Sequence, residues 1–176
     1  MMRNYSLYKT EVIYCDFIYN ACMIKLSENN KSDNISKKQI YNLYIAKNVI
    51  QANRGKKKPL VCGLNMKSGI LLYAAHLLGC EIYGQFDAKY KESMILSPIV
   101  LHKLNKLGMI RSNTDLVVYD NLNSPNSMNY AIYQRMERKL RQGDLALLTG
   151  TALPIIRSYK FSQFHLRKNL DLVVKK

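Results

Sequence analysis

The segment from Gly63 to Gly69 (GLNMKSG) holds residue types that could cradle a phosphate group. The phosphate-binding loop needs G-x-x-x-x-G-K-[ST], because glycine before the lysine lets backbone amides wrap the phosphates. Lys67 and Ser68 match only the last two positions, and Met66 stands where that glycine is required. The dinucleotide pattern G-x-G-x-x-G is also missing. We therefore interpret the segment as a plain strand-to-helix turn, and nucleotide binding is the alternative.

Residues that could act as acids, bases or metal ligands are scattered. His76, His102 and His165 occur singly, whereas metal sites need clustered ligands. Asp115 and Asp120 flank one apolar run, so they are expected at opposite ends of a strand and too far apart to share a proton. We therefore expect no catalytic residues, no metal and no cofactor.

The cysteines have no spacing typical of a metal or redox site. They are Cys15, Cys22, Cys62 and Cys80. No pair has C-x-x-C spacing, and Cys62 and Cys80 lie in apolar surroundings. We predict that all four are reduced residues of the core.

Positive charge dominates the 176-residue chain. It carries 27 Lys and Arg against 12 Asp and Glu, a net charge of +15. Such an excess is unusual for a metabolic enzyme of this size and indicates a polyanionic partner, nucleic acid first. The charge is concentrated in three clusters and at Lys67, which we predict to contact RNA phosphates. The predicted RNA-binding residues are Arg54, Lys56, Lys57, Lys58, Lys67, Arg135, Arg138, Lys139, Arg141, Arg157, Lys160, Arg167 and Lys168.

Short apolar runs alternate with helical patterns along the chain. Ser36 and Gln39 form a capping box at the start of a helix that ends near Gly55. We predict helices also at 66–78, 97–108 and 127–143, and strands at 59–63, 81–84, 115–119 and 144–148. Residues 11–26 fit either a helix or a strand. The alternation predicts an α/β fold: a Rossmann-like, doubly wound, mainly parallel sheet of four to five short strands with flanking helices.

The chain divides by composition into three parts. We predict an N-terminal extension at 1–35, the α/β core domain at 36–153 and a basic, aromatic C-terminal tail at 154–176. No apolar run reaches the roughly 18–20 residues that a membrane-spanning helix needs, so no membrane span is expected. We expect neither a secretory signal nor a transit peptide at the N-terminus, because Glu11 and Asp16 interrupt it.

The stretch from Ile40 to Leu153 resembles the small-subunit ribosomal protein S2 family. YIAKNVIQANRGKKKPLVCGLNMKSGILLYAAHLLGCEIYGQF is similar to that family's helix, basic turn, strand, alanine-rich helix and next strand. Further on, TDLVVYDN and MNYAIYQRMERKLRQGDLALLTGT resemble a later strand and then a helix and strand. The resemblance implies a structural constituent of the ribosome that binds ribosomal RNA and small-subunit proteins during translation. It implies no enzymatic activity and no small-molecule substrate.

Residue usage suggests where such a protein would work. Lys, Asn, Ile and Tyr are abundant and Gly, Ala and Pro are scarce, as in the products of very AT-rich genomes. We therefore expect a divergent, organelle-encoded version in the mitochondrial matrix, within the small ribosomal subunit. Two alternatives stay open. One is a Rossmann-like RNA-modifying or nucleotide-dependent enzyme, and the other is a basic accessory subunit of another organelle complex.

Overall fold

The described residues include seven strands that form one sheet. The computed structural model describes residues 7–31, 35–55, 58–66, 68–86, 95–96, 101–103, 111, 113–120, 145–149, 161–163 and 172–175. The helices among them are α1 (Lys9–Glu28), α2 (Lys37–Arg54) and α3 (Ile70–Leu77). The strands are β1 (Leu60–Met66), β2 (Glu81–Phe86), β3 (Leu101–Lys103), β4 (Leu116–Asp120), β5 (Leu145–Thr149), β6 (Phe161–Gln163) and β7 (Leu172–Lys175).

The order of the strands in the sheet is β3-β2-β1-β4-β5-β7-β6. The first five strands of this order are mutually parallel, whereas β7 is antiparallel to both of its neighbours. The predicted fold class is confirmed, and two further strands beyond residue 153 extend the parallel sheet. The proposed boundaries of the three parts of the chain stay a prediction.

Three helices build the described part of the core. α1, α2 and α3 pack against one another, and α3 also packs on β1 and β2. Their inward residues are fully or almost fully buried, as Cys22, Leu43 and Leu72 illustrate at 0–2% exposure. In the central strand β1, Val61, Cys62 and Met66 are fully buried, as expected where helices cover a parallel sheet.

The predicted capping box at the start of α2 is present. The Gln39 amide donates to Ser36 Oγ at 3.2 Å, and the Ser36 amide donates to Gln39 Oε1 at 2.9 Å. α2 ends at Gly55, which adopts the left-handed conformation at φ 62°. Both ends of this helix are therefore determined by local sequence, as predicted.

Residues 11–26 are helical, which resolves the ambiguity between helix and strand. Glu11 and Asp16, which interrupt the apolar run, attach α1 to α2. The Tyr44 hydroxyl donates to Glu11 Oε1 at 3.2 Å, and the Tyr41 hydroxyl donates to Asp16 Oδ1 at 2.8 Å. This bond is the main cause of the lowered pKa of Asp16.

Two helix predictions need correction. β1 continues through Met66, so α3 begins at Ile70 and not at residue 66. The helix predicted at 97–108 is wrong at Leu101–Lys103, because this segment is β3 and pairs in parallel with β2, with Gly84 opposite Leu101. Leucines three residues apart fit a helix, but strand pairing overrides that local pattern. The helix predicted at 127–143 lies outside the described residues.

Candidate functional site

The strand order reverses direction between β1 and β4. From β1 the chain proceeds to β2 and β3 on one side, and then crosses to β4 and β5 on the other. The connections therefore leave the carboxyl ends of β1 and β4 in opposite directions. In open parallel sheets ligands bind in the crevice at such a reversal. The candidate site is therefore the carboxyl edge of β1 and β4.

Polar residues end the central strands at this edge. Asn65 is the penultimate residue of β1, Asp120 is the last residue of β4 and Thr149 is the last residue of β5. Leu64 lies opposite Tyr119, and Asp120 lies opposite Thr149, so these strand ends are level. The tertiary structure thus places Asn65, Asp120 and Thr149, which are far apart in sequence, at the same edge of the sheet.

A tight turn joins β1 to α3 at the same edge. Ser68 is buried, and its Oγ accepts a hydrogen bond from the Ile70 amide at 3.3 Å. Its carbonyl accepts another from the Ile95 amide at 2.9 Å. Gly69 has a φ of 79°, which favours glycine because a side chain is strained there. The turn therefore directs the first turn of α3 towards the carboxyl edge.

The Met66 side chain points back into the core. Met66 is 0% exposed. An added Cβ on Gly63 would lie 2.9 Å from Met66 Sδ and 3.2 Å from Leu72 Cδ2. The glycine that this turn needs for space is therefore Gly63, within the strand. The Met66 side chain therefore lies in the core and not in the turn that joins β1 to α3.

Hydrogen bonds at the opposite, amino edge align β1 with its neighbours. Asp115 Oδ2 accepts from the Leu60 amide at 2.8 Å, and the Asp115 amide donates to the Leu60 carbonyl at 2.9 Å. The Glu81 amide donates to the Pro59 carbonyl at 3.0 Å. Asp115 and Asp120 therefore lie at opposite ends of β4, as predicted, and Asp115 has a structural role.

Tyr83 forms a second buried anchor. Its hydroxyl is hydrogen-bonded to the Thr114 hydroxyl and accepts from the Arg111 amide at 2.8 Å. The Arg111 guanidinium carbon lies 4.5 Å from the centre of the Tyr83 ring, a cation–π contact. Burial is the main cause of the raised pKa of Tyr83, so this residue stays protonated.

A shallow cleft of about 410 Å³ opens at the amino edge. Exposed Lys58, His76, Glu81 and Arg111 contribute to its lining. It lies at the first residues of β1 and β2 and is therefore distinct from the candidate site. His76 is exposed on α3.

The predicted RNA-binding residues are mostly outside the described part of the chain. Lys58 is exposed at the amino-edge cleft, and Arg54 is the last residue of α2. The remaining predicted residues, which lie outside the described residues, are Lys56, Lys57, Lys67, Arg135, Arg138, Lys139, Arg141, Arg157, Lys160, Arg167 and Lys168. Their contact with RNA stays a prediction.

The predicted state of the cysteines is confirmed: all four are free and buried. Burial raises the pKa of Cys15 and Cys80 to about 11 and that of Cys22 and Cys62 to about 12.

Within the described residues, no three His, Cys, Asp or Glu side chains are grouped so that they could hold a metal ion. None of the helices described above has the length and apolar character needed to cross a membrane.

The fold is similar to that of a solved crystal structure. A crystal structure from Klebsiella pneumoniae, provisionally described as an O-methyltransferase, has a TM-score of 0.51 at 9% identity. The match covers 90% of this chain and 89% of that one. No family model matches the chain, and no curated protein matches it in sequence. At this identity, the likeness shows a shared Rossmann-like fold.

Two further structures have lower TM-scores. One, from Methanococcus maripaludis, is provisionally described as an S-adenosyl-L-methionine-dependent methyltransferase. Its TM-score is 0.41 at 16% identity, over 85% of this chain and 67% of that one. The other, Thermoplasma acidophilum 1320, has a TM-score of 0.48 at 13% identity, over 90% and 95% of the two chains. The fold assignment rests on the Klebsiella structure, because these two TM-scores are below 0.5.

The resemblance to the ribosomal protein S2 family is wrong. The Klebsiella comparison contradicts membership of that family. It also contradicts the expected ribosomal role in translation and the expected binding to ribosomal RNA and small-subunit proteins. The expected lack of enzymatic activity and of a small-molecule substrate is contradicted as well. The resemblance depended on the order and spacing of apolar strands and helices, which parallel α/β sheets share in general. Strand order and the position of the reversal distinguish such folds, and local sequence does not determine them.

Proposed function

We propose that this chain is an S-adenosylmethionine-dependent methyltransferase that modifies nucleic acid. The observation that carries the proposal is the reversal of the sheet between β1 and β4, with the polar strand ends at its carboxyl edge. The fold shared with the Klebsiella structure supports the same activity. Among the alternatives drawn from the sequence, the RNA-modifying enzyme is the one that agrees with this fold.

The turn after β1 fits the adenosine-containing part of the methyl donor. Gly69 has no side chain to obstruct the approach of a ligand, and Ser68 Oγ already accepts a hydrogen bond from the Ile70 amide, so the shape of the backbone does not depend on a ligand. In related sheets an acidic residue about 20 residues beyond this turn binds the ribose hydroxyls. Asp87, the residue after β2 in the sequence, meets this spacing. We propose that Ser68, Gly69 and Asp87 hold the donor.

Asp120 and Thr149 are the proposed residues on the acceptor side. When bound, S-adenosylmethionine supplies an electrophilic methyl group that a nucleophilic nitrogen, oxygen or carbon of the substrate can accept. Asp120 ends β4 next to β1, where a carboxylate can orient the nucleophile and take the proton that it loses. Thr149, opposite Asp120, can contribute a hydrogen bond to the substrate.

The net charge of +15 supports a nucleic acid as the methyl acceptor. Lysine and arginine bind phosphates with release of counterions, so affinity falls steeply as the salt concentration rises. The three basic clusters predicted from the sequence would supply these contacts. A small neutral acceptor gains nothing from such an excess of positive charge.

Calorimetry with the full chain tests donor binding. We expect S-adenosylmethionine and S-adenosylhomocysteine to bind, and Asp87→Asn to weaken both at least about tenfold through loss of the ribose contact. Glu81→Gln is the matched control, because it neutralises an exposed carboxylate at the opposite edge of the sheet. Failure of the wild-type chain to bind either compound would refute the proposed activity.

Transfer of a labelled methyl group tests the acceptor. The chain is incubated with radiolabelled S-adenosylmethionine and with total RNA, DNA or a mixture of small phenols. We expect label in nucleic acid, lost on Asp120→Asn and reduced by added salt. Label found only in the phenols would support methyltransferase activity and would refute nucleic acid as the acceptor.

A further inference from the structure

An apolar stripe lies on the outer face of α1. Ile13, Phe17 and Ile24 are 60%, 70% and 59% exposed. At 100° per residue they fall within about 40° of one another around the helix axis. The buried residues of α1, such as Ile18 and Cys22, lie on the opposite side. α1 therefore presents an apolar face to the core and another to solvent.

Such a stripe is unusual on a protein surface that contacts only water. Single exposed apolar residues are common, whereas aligned ones indicate contact with a partner. The stripe runs for about 17 Å along the helix at 1.5 Å per residue. It is long enough for a second helix to pack against it. The amphipathic pattern of α1 is satisfied by the core alone, so the stripe is not required for the fold of one chain.

The stripe is self-complementary when two copies run antiparallel. We place a two-fold axis in front of the stripe, at the height along α1 that lies midway between residues 18 and 19. This axis brings Ile13 opposite Ile24 of the second copy, and Phe17 opposite Asn20 of the second copy. The same axis brings Lys9, at the amino end of α1, to the end that carries Glu28 of the second copy. Both of these charged residues are exposed. A parallel pair would instead bring lysine to lysine and glutamate to glutamate.

We propose that the outer face of α1 is a dimer interface, on which α1 of a second copy of this chain packs antiparallel. The two-fold arrangement uses the same patch on both chains, as in most soluble dimers. Opposite charges meet at both ends of the seam, and Ile13, Phe17 and Ile24 between these ends are withdrawn from water. A single pair of helices buries an area at the low end of the range for specific interfaces, so the dissociation constant is expected to be micromolar.

Sedimentation velocity across a range of concentrations tests the proposal. The full chain has a mass of 20.4 kDa, and the dimer has twice that mass. We expect Phe17→Asp to raise the dissociation constant at least about tenfold, because a charge would be buried in the seam. Tyr8→Ser is the control: it removes another exposed aromatic side chain, one that lies outside the stripe. Circular dichroism establishes that the variants retain their helices.

A charge exchange tests the orientation of the two helices. Lys9→Glu and Glu28→Lys should each weaken the dimer several-fold, and the double variant should restore it, because each end again pairs opposite charges. A wild-type chain that stays monomeric up to about 200 µM, well above a micromolar dissociation constant, overturns the proposal. So does a dimer that is indifferent to Phe17→Asp. A double variant that dimerises more weakly than either single variant would exclude the antiparallel arrangement.

Discussion

Asp115 and Leu60 form a reciprocal pair of hydrogen bonds across the central strands. Asp115 Oδ2 accepts from the Leu60 amide at 2.8 Å, while the Leu60 carbonyl accepts from the Asp115 amide at 2.9 Å. Asp115 is 0% exposed. The pair holds the amino ends of β1 and β4 in register. Because the two strands are hydrogen-bonded along their length, this register also determines how their carboxyl ends, at the candidate site, are aligned.

Removal of the Asp115 carboxylate should destabilise the fold. Asp115→Ala leaves the Leu60 amide without this acceptor in a buried environment, and we expect the free energy of unfolding to fall by about 2–3 kcal/mol. Urea denaturation followed by circular dichroism measures it. Glu81→Ala, at an exposed carboxylate on the same edge, should change it by less than about 0.5 kcal/mol. Equal effects of the two substitutions would show that the Asp115 pair has no special role.

The close approach of Gly63 to Met66 makes a second prediction. A Cβ at Gly63 would contact Met66 Sδ at 2.9 Å, so Gly63→Ala should cost about 1–3 kcal/mol of stability through overpacking. In a Met66→Ala background the same substitution should cost less, since the nearest crowding atom, Met66 Sδ, is gone and only Leu72 Cδ2 remains close. A double-mutant cycle measures this difference. Additive losses would contradict the described position of the Met66 side chain.

The capping box of α2 makes a third prediction. Ser36→Ala removes the oxygen that accepts from the Gln39 amide, and the free energy of unfolding should fall by about 1 kcal/mol. Ser27→Ala, at an exposed position within α1, should be close to neutral. Thermal unfolding of the two variants side by side gives the comparison. A stable Ser36→Ala chain would mean that packing alone determines where α2 begins.

The buried thiols predict the dependence of stability on pH. Burial raises the pKa of Cys62 from 9.0 to about 12, so between these values the folded chain keeps a proton that the unfolded chain releases. The stabilisation is complete below pH 9 and is lost as the pH rises towards 12. One such thiol contributes a slope of about 1.4 kcal/mol per pH unit. Cys62→Ala should flatten the decline of stability in this range, and an unchanged slope would contradict it.

Local sequence determines several elements. The short segments at 59–63, 81–84, 115–119 and 144–148 predict β1, β2, β4 and β5, and the Ser36–Gln39 box predicts the start of α2. Local sequence does not predict other elements correctly. Leu101–Lys103 has the spacing of a helix and becomes β3 only because β2 offers a parallel partner. α1 is ambiguous in sequence because its outer face carries Phe17 and other apolar residues besides those that reach the core.

The sequence by itself determined the α/β class, the buried cysteines and the excess of positive charge, because periodicity, composition and charge are properties of short segments. The order β3-β2-β1-β4-β5-β7-β6 was decided only in the tertiary structure. Strand order depends on contacts between residues far apart in the chain, and it brings Asp120 level with Thr149 beside the end of β1. The turn at Gly69 is local, but the crevice that it borders requires two strands from opposite sides of the reversal.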